Sequence, residues 1–225
     1  KVTLYHARNL ALNVTRGDLI TFLDVDDLWF KSKLAVQVEK FEENKSLGVV
    51  YSNYLIKNDF NNKIKKRKWL GLPKGYIINY LLKDYCIGLL TIMINRNVFS
   101  EDGYKFNSSY EIIGDFELMM KLSLKYEFDS INKPLAIYRL HDKNISNNKE
   151  REIYELNKWY TENKHLIDFK KKRNFKYLLY KIKYLDILSN IDKLEYISLL
   201  KNMYELKYPS LTLKLLIKFI LRKIN

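Results

Sequence analysis

The hydrophobic pattern changes period several times along the chain. Leu19-Ile20-Thr21-Phe22-Leu23 is a short, β-rich apolar run and predicts a buried strand. It breaks off at Asp24-Val25-Asp26-Asp27. Leu34, Ala35, Val38 and Phe41 then recur at helical spacing and predict a helix over 32–44. Gly48-Val49-Val50-Tyr51-Ser52-Asn53-Tyr54 predicts a second strand, so the order is strand, helix, strand, the pattern of an α/β domain. Upstream, 7–14 reads as a helix, with Gly17 suited to a left-handed stop. Downstream come a basic loop or hairpin tip at 60–68, a short helix at 76–83 and a strand at 89–94. A loop at 108–113 leads to a helix at 115–125 with Phe116, Met119, Met120 and Leu122 on its apolar side. Two short strands are expected at 127–131 and 134–141.

After Ser146 the character changes to Tyr-rich, basic, helix-like sequence at 150–184, 194–204 and 211–224. This divides the chain into an α/β part, 1–146, and a helical basic tail, 147–225. In the last segment Lys214, Lys218 and Arg222 fall at i, i+4 and i+8 among Leu213, Leu216, Ile217, Ile220, Leu221 and Ile224. Such a helix either lies on an anionic membrane surface or packs on the protein with its lysines solvated.

Composition narrows the classes. At 225 residues and 47% apolar content a real core is available, which excludes wholesale disorder. One cysteine, Cys86, excludes an intrachain disulfide framework. The net charge is +14, from 40 basic and 26 acidic residues, which favours polyanionic partners. Residues 151–225 hold 17 basic and 8 acidic residues, so the tail carries most of that excess. No run of about 18 uncharged apolar residues predicts a membrane-spanning helix.

Four places carry chemistry. Asp24-Val25-Asp26-Asp27 sits at the carboxyl end of a strand, where ligands of open α/β sheets bind. Asp24 and Asp26 are two apart and point the same way in an extended segment; they suit a hard divalent cation bridging to phosphate, or simply a turn and helix cap. Asp115 opens a helix and is either a general base or a first-turn Asp favoured by the dipole. In Tyr138-Arg139-Leu140-His141, alternation sends Arg139 and His141 to one side, toward phosphate or metal, or toward solvent. Arg8 and Asn9 can contact a phosphate and a base or ribose.

The order of these stretches resembles the family 2 glycosyltransferases with the GT-A fold. The resemblance rests on Ala7-Arg8-Asn9-Leu10-Ala11-Leu12, the run from Arg16 to Trp29, Gly114-Asp115-Phe116-Glu117-Leu118, Pro134 to His141, and Asn144-Ile145-Ser146. It covers roughly residues 1–146. It implies an enzyme of hexosyltransferase type that moves a sugar from a nucleotide-sugar to an acceptor hydroxyl, with inversion. Asp26 and His141 would serve Mn2+ or Mg2+, Asp24, Arg8 and Asn9 the donor, and Asp115 would be the catalytic base. The acceptor would be a glycan or a lipid-linked sugar of bacterial surface polysaccharide, and the protein would work in the cytoplasm, peripheral to the inner face of the membrane through Leu211–Ile224. Gly114 departs from the family, which usually has an acidic residue before the base. The family's first strands, which carry part of the nucleotide pocket, have no counterpart after Lys1, so the chain is expected to represent a GT-A domain without them.

Two rivals stand beside this reading. One is a basic nucleic-acid-binding protein, suggested by the charge and by 63–68, although no binding motif is present and nucleic acid is not expected as a partner. The other is a non-catalytic remnant acting as a binding module.

Overall fold

The computed structural model describes residues 2–66, 71–163, 175–190 and 209–224, with 198, 201, 202, 204 and 206. Contacts divide the chain into two compact units, Lys1–Leu81 with Tyr85–Ile145, and Leu82–Asp84 with Ser146–Asn225.

The first unit is a mixed α/β structure around a six-stranded sheet, in order β1-β5-β3-β6-β2 with β4 on β3. The strands are β1 (Leu19–Ile20), β2 (Leu28–Trp29), β3 (Leu47–Asn58), β4 (Lys63–Lys66), β5 (Met93–Asn95) and β6 (Glu127–Leu140). Only β3 and β6 run parallel. Every residue from Leu47 to Tyr54 is buried, as a central strand covered on both faces requires. The helices of this unit are α1 (Leu4–Val14), α2 (Lys33–Glu43), the first part of α3 (Ile78–Lys83), α4 (Asn97–Ser100) and α5 (Gly114–Lys125). In α5, Asp115 and Glu117 lie in the first turn and Lys125 in the last, the charge order that the helix dipole favours.

The expected elements form, with four differences. The run 19–23 contributes only Leu19–Ile20 to the sheet; the rest belongs to the loop that carries the aspartates. The helix before it ends at Thr15 in extended backbone, capped by its N–H on the Leu12 carbonyl, and Gly17 is not left-handed. The strands expected at 127–131 and 134–141 are one strand, β6, with register irregularities opposite Ser52-Asn53-Tyr54. The strand expected at 89–94 is a 3-10 turn, Leu89–Thr91, followed by β5.

Helix α2 buries Phe41, with Val38 packed beside it, as its apolar residues predict, but its buried face is rotated from Leu34 and Ala35 toward polar residues. Lys33, Gln37 and Phe41 are buried, whereas Leu34 is exposed. The Gln37 Nε2 donates to the carbonyls of Val50 (3.0 Å) and Thr91 (2.9 Å). The Lys33 Nζ donates to Thr21 Oγ1 (3.0 Å) and lies 4.3 Å from the Trp29 ring centroid. These polar side chains link α2 to the sheet by hydrogen bonds that apolar residues could not make.

In the second unit, α6 (Lys149–Asn163), α7 (Phe175–Ser189) and α8 (Pro209–Ile224) replace the helices expected at 150–184 and 211–224. The helix expected at 194–204 lies largely outside the described residues. Leu215 of α8 packs with Ile187 and Leu206, while Leu213, Lys214 and Ile217 are exposed.

Candidate active site

The loop between β1 and β2 carries Asp24, Asp26 and Asp27. Its shape is fixed at both ends by sheet pairing, β1 on β5 and β2 on β6. Within it, the Asp27 N–H donates to the Asp24 carbonyl (3.1 Å). The Asp27 carboxylate is buried and accepts the Arg139 backbone N–H (2.9 Å), which clamps the loop to β6. Burial, with Asp26 and Asp24 close by, pushes its carboxyl up to about 6. Asp27 is therefore a loop anchor and leaves Asp24 and Asp26 half exposed beside it.

Each of those two has a cationic or imidazole partner. Arg8 of α1 reaches Asp24 Oδ1 with its Nη2 at 2.5 Å. His141, immediately after β6, lies with Nε2 2.7 Å from Asp26 Oδ2. Its Nδ1 accepts the Lys143 N–H (3.2 Å), and its Nε2 also has the Asn144 Nδ2 at 3.4 Å. Asn144 holds the backbone there, its Oδ1 accepting the His141 N–H (2.6 Å). Arg139 turns away: its Nε and Nη2 bind Asp59 Oδ2 at 3.1 and 2.7 Å.

Asp115 stands in the first turn of α5. Burial pushes its carboxyl up, while the Phe116 backbone N–H and the Arg8 charge hold it down. The Tyr5 hydroxyl lies 3.2 Å from its Oδ1 and 2.8 Å from the Ile112 carbonyl oxygen. The Tyr5 ring covers Gly114; a Cβ there would stand 2.6 Å from two ring carbons. This gives the Gly114 departure a physical reason: any side chain at 114 collides with a buried aromatic ring.

Asn9 is engaged by a backbone residue far along the chain. Its Nδ2 donates to the Phe106 carbonyl (2.8 Å) and its Oδ1 accepts the Phe106 N–H (2.9 Å). Both ends of the amide are spent on holding one backbone residue, whose ring stacks on Tyr5 (centroids 5.5 Å apart) and meets Phe22 edge-on.

The geometry thus brings Asp24 together with Arg8, Asp26 with His141, and Asp115 with Tyr5. The sequence reading missed Tyr5, the Asp27 clamp and Asn144. The absence of a side chain at Gly114 was the signal for the first. Among the described residues no three His, Cys, Asp or Glu side chains converge. Asp26 and His141 nevertheless offer the hard oxygen and imidazole nitrogen that suit Mn2+ or Mg2+, ions that take only one or two protein ligands when substrate phosphates supply others.

A mixed sheet with an aspartate loop between two of its strands, and a helix-borne aspartate reached by the same helix that reaches the loop, is the architecture of a GT-A glycosyltransferase domain. S. aureus TarS, in a crystal structure of its residues 1–349 with UDP-GlcNAc, shares this fold with a TM-score of 0.56 at 14% identity, over 90% of this chain and 59% of that one. Residues 1–103 match the model of Glycosyl transferase family 2. A UDP-Glc:alpha-D-GlcNAc-diphosphoundecaprenol beta-1,3-glucosyltransferase of Escherichia coli, WfgD, is 32% identical over 149 residues, 65% of this chain and 55% of that protein. A teichuronic acid biosynthesis glycosyltransferase of Bacillus subtilis, TuaG, is 32% identical over 145 residues, 64% of this chain and 55% of that protein. The chain spans about half the length of these relatives.

Proposed function

We propose that the protein transfers a hexose from a nucleotide-sugar to an acceptor hydroxyl, with inversion, during assembly of a bacterial surface polysaccharide. The observation that carries this reading is the set of Asp24, Asp26 and Asp115, with Asp24 and Asp115 both held from α1, by Arg8 and Tyr5, and Asp26 by His141. The name of WfgD supports a lipid-diphosphate-linked sugar as acceptor and UDP as the donor nucleotide, and that of TuaG supports a role in surface polysaccharide.

Asp115 takes the proton of the acceptor hydroxyl. Its burial raises its proton affinity, which suits a base that must hold a proton as the new bond forms. Arg8 and Asp24 orient the donor. Asp26 and His141 would hold Mn2+ or Mg2+, which supplies Lewis-acid neutralisation of the departing diphosphate. The two side chains are already hydrogen-bonded to each other at 2.7 Å, so they would serve the ion as one unit. Asn9 positions the Phe106 backbone and does not itself meet the donor.

Among the described residues no helix is long and apolar enough to cross a membrane. The exposed Leu213, Lys214 and Ile217 of α8 support a peripheral contact with an anionic surface on the cytoplasmic side.

Asp115→Asn keeps the shape of the side chain and removes its basicity. Transfer to acceptor should fall by several orders of magnitude while donor affinity, read by calorimetry, stays within about twofold. Full turnover by Asp115→Asn would end the assignment.

A further inference from the structure

Tyr5 is the one residue of α1 that is buried, and its ring is 2% exposed. One face stacks on Phe106, and the ring fills the space that Gly114 leaves open. One turn further along α1, Arg8 lays its guanidinium 5.3 Å from the Tyr5 ring centroid and reaches Asp24. The contacts therefore run without a gap from Asp115 through Tyr5 and Arg8 to Asp24.

We propose that Tyr5 is a positioning residue for Asp115, seated in a space that only glycine at position 114 provides, and that through Arg8 it ties the base to the donor aspartate Asp24. This rests on the reading of Asp115 as the base. The groups facing Asp115 from α1 are Tyr5 and Arg8; within α5 it meets the Phe116 N–H; Asp24 lies behind Arg8.

The hydroxyl has one proton and two acceptors, Asp115 Oδ1 and the Ile112 carbonyl. With Asp115 ionised, that proton serves the carboxylate. During transfer the acceptor O–H bond breaks and its proton passes to Asp115; the acceptor oxygen bonds the sugar carbon, and the electron pair of the broken sugar–phosphate bond leaves with the diphosphate. The new carboxylic acid then donates to the Tyr5 oxygen, while Tyr5 turns its own proton to the Ile112 carbonyl. Tyr5 keeps its proton throughout, as expected from burial and the neighbouring carboxylate, which push the phenol far above its ordinary range. Both protonation states of the base are satisfied by rotation of one O–H bond.

The test is the pH profile of kcat/KM for transfer by the full protein carrying Tyr5→Phe. This variant keeps the ring over Gly114 and loses only the hydroxyl. Loss of a hydrogen bond to the ionised base should move the acid limb upward by about one pH unit, with the donor KM within about twofold. An unmoved acid limb in Tyr5→Phe, while Asp115→Asn abolishes turnover, would refute the role of Tyr5 and leave the base intact. Turnover retained in Asp115→Asn instead removes the base reading and this inference with it. A double-mutant cycle tests the seat. Gly114→Ala should lower kcat about tenfold or more, and Tyr5→Ala should cost much less in the Gly114→Ala background than alone. Additive losses in kcat would show that ring and glycine are not a pair.

Discussion

Lys33 offers a sharp test of the packing beneath the aspartate loop. Its side chain is fully buried, with no carboxylate partner among the described residues; it has Thr21 Oγ1 at 3.0 Å, the Ile92 carbonyl at 3.4 Å and the Trp29 ring. Burial pushes its ammonium down from 10.5 to about 7. Below pH 7 both folded and unfolded chains hold the proton, so folding bears the whole cost of burying the charge. From pH 7 upward the folded chain releases it and the unfolded chain keeps it, so stability rises with pH across that window. At about 1.4 kcal/mol per pH unit, the relief between pH 7 and 9 is about 2 kcal/mol, and the full penalty below pH 7 is on the order of 3–5 kcal/mol. Lys33→Met keeps the stem, removes the charge and leaves Thr21 bonded to the Ile92 carbonyl (2.5 Å). Urea denaturation of both proteins from pH 6 to 9 should show the variant more stable, with its advantage constant below pH 7 and shrinking by about 2 kcal/mol by pH 9. A difference that does not change with pH would refute the reasoning. So would a variant less stable at every pH, which would mean that Trp29 and the two oxygens compensate the charge completely.

Two further substitutions separate roles within the site. Asn9→Ala strands both backbone groups of Phe106 and should cost about 2–3 kcal/mol of stability by thermal melting; donor affinity should be unchanged at temperatures where the variant is folded. A large loss of donor affinity at unchanged stability would restore Asn9 to the donor pocket. Asp26→Ala removes the partner of His141, and Mn2+ should no longer strengthen donor binding measured by calorimetry; unchanged metal-dependent binding would move the metal elsewhere.

The sequence made the main elements and most of the site legible because runs such as Val49-Val50-Tyr51 and the spacing of the aspartates are local signals. β2 was invisible because two residues carry no period. β6 read as two strands because Pro134 breaks the alternation while the parallel pairing with β3 continues past it. The buried face of α2 was legible only in part because Lys33 and Gln37 are polar in sequence and satisfied only by distant backbone groups. The Asn9 bond to the backbone is invisible in sequence for the same reason: its partner, Phe106, lies 97 positions away. Tyr5 carries no motif; its role exists only where α1 crosses the start of α5.

β6 also sets an order on the chain's conformational search. Leu47 pairs with Glu127, eighty positions later, so the parallel contact closes a very long loop. The same strand supplies the amide that clamps Asp27 and leads directly into His141. The aspartate loop therefore takes its working shape only after that closure, and a protein with β6 undocked has aspartates but no assembled site. Ligands of the loop bind the docked state, so their free energy of binding acts as a latch on this long-range closure.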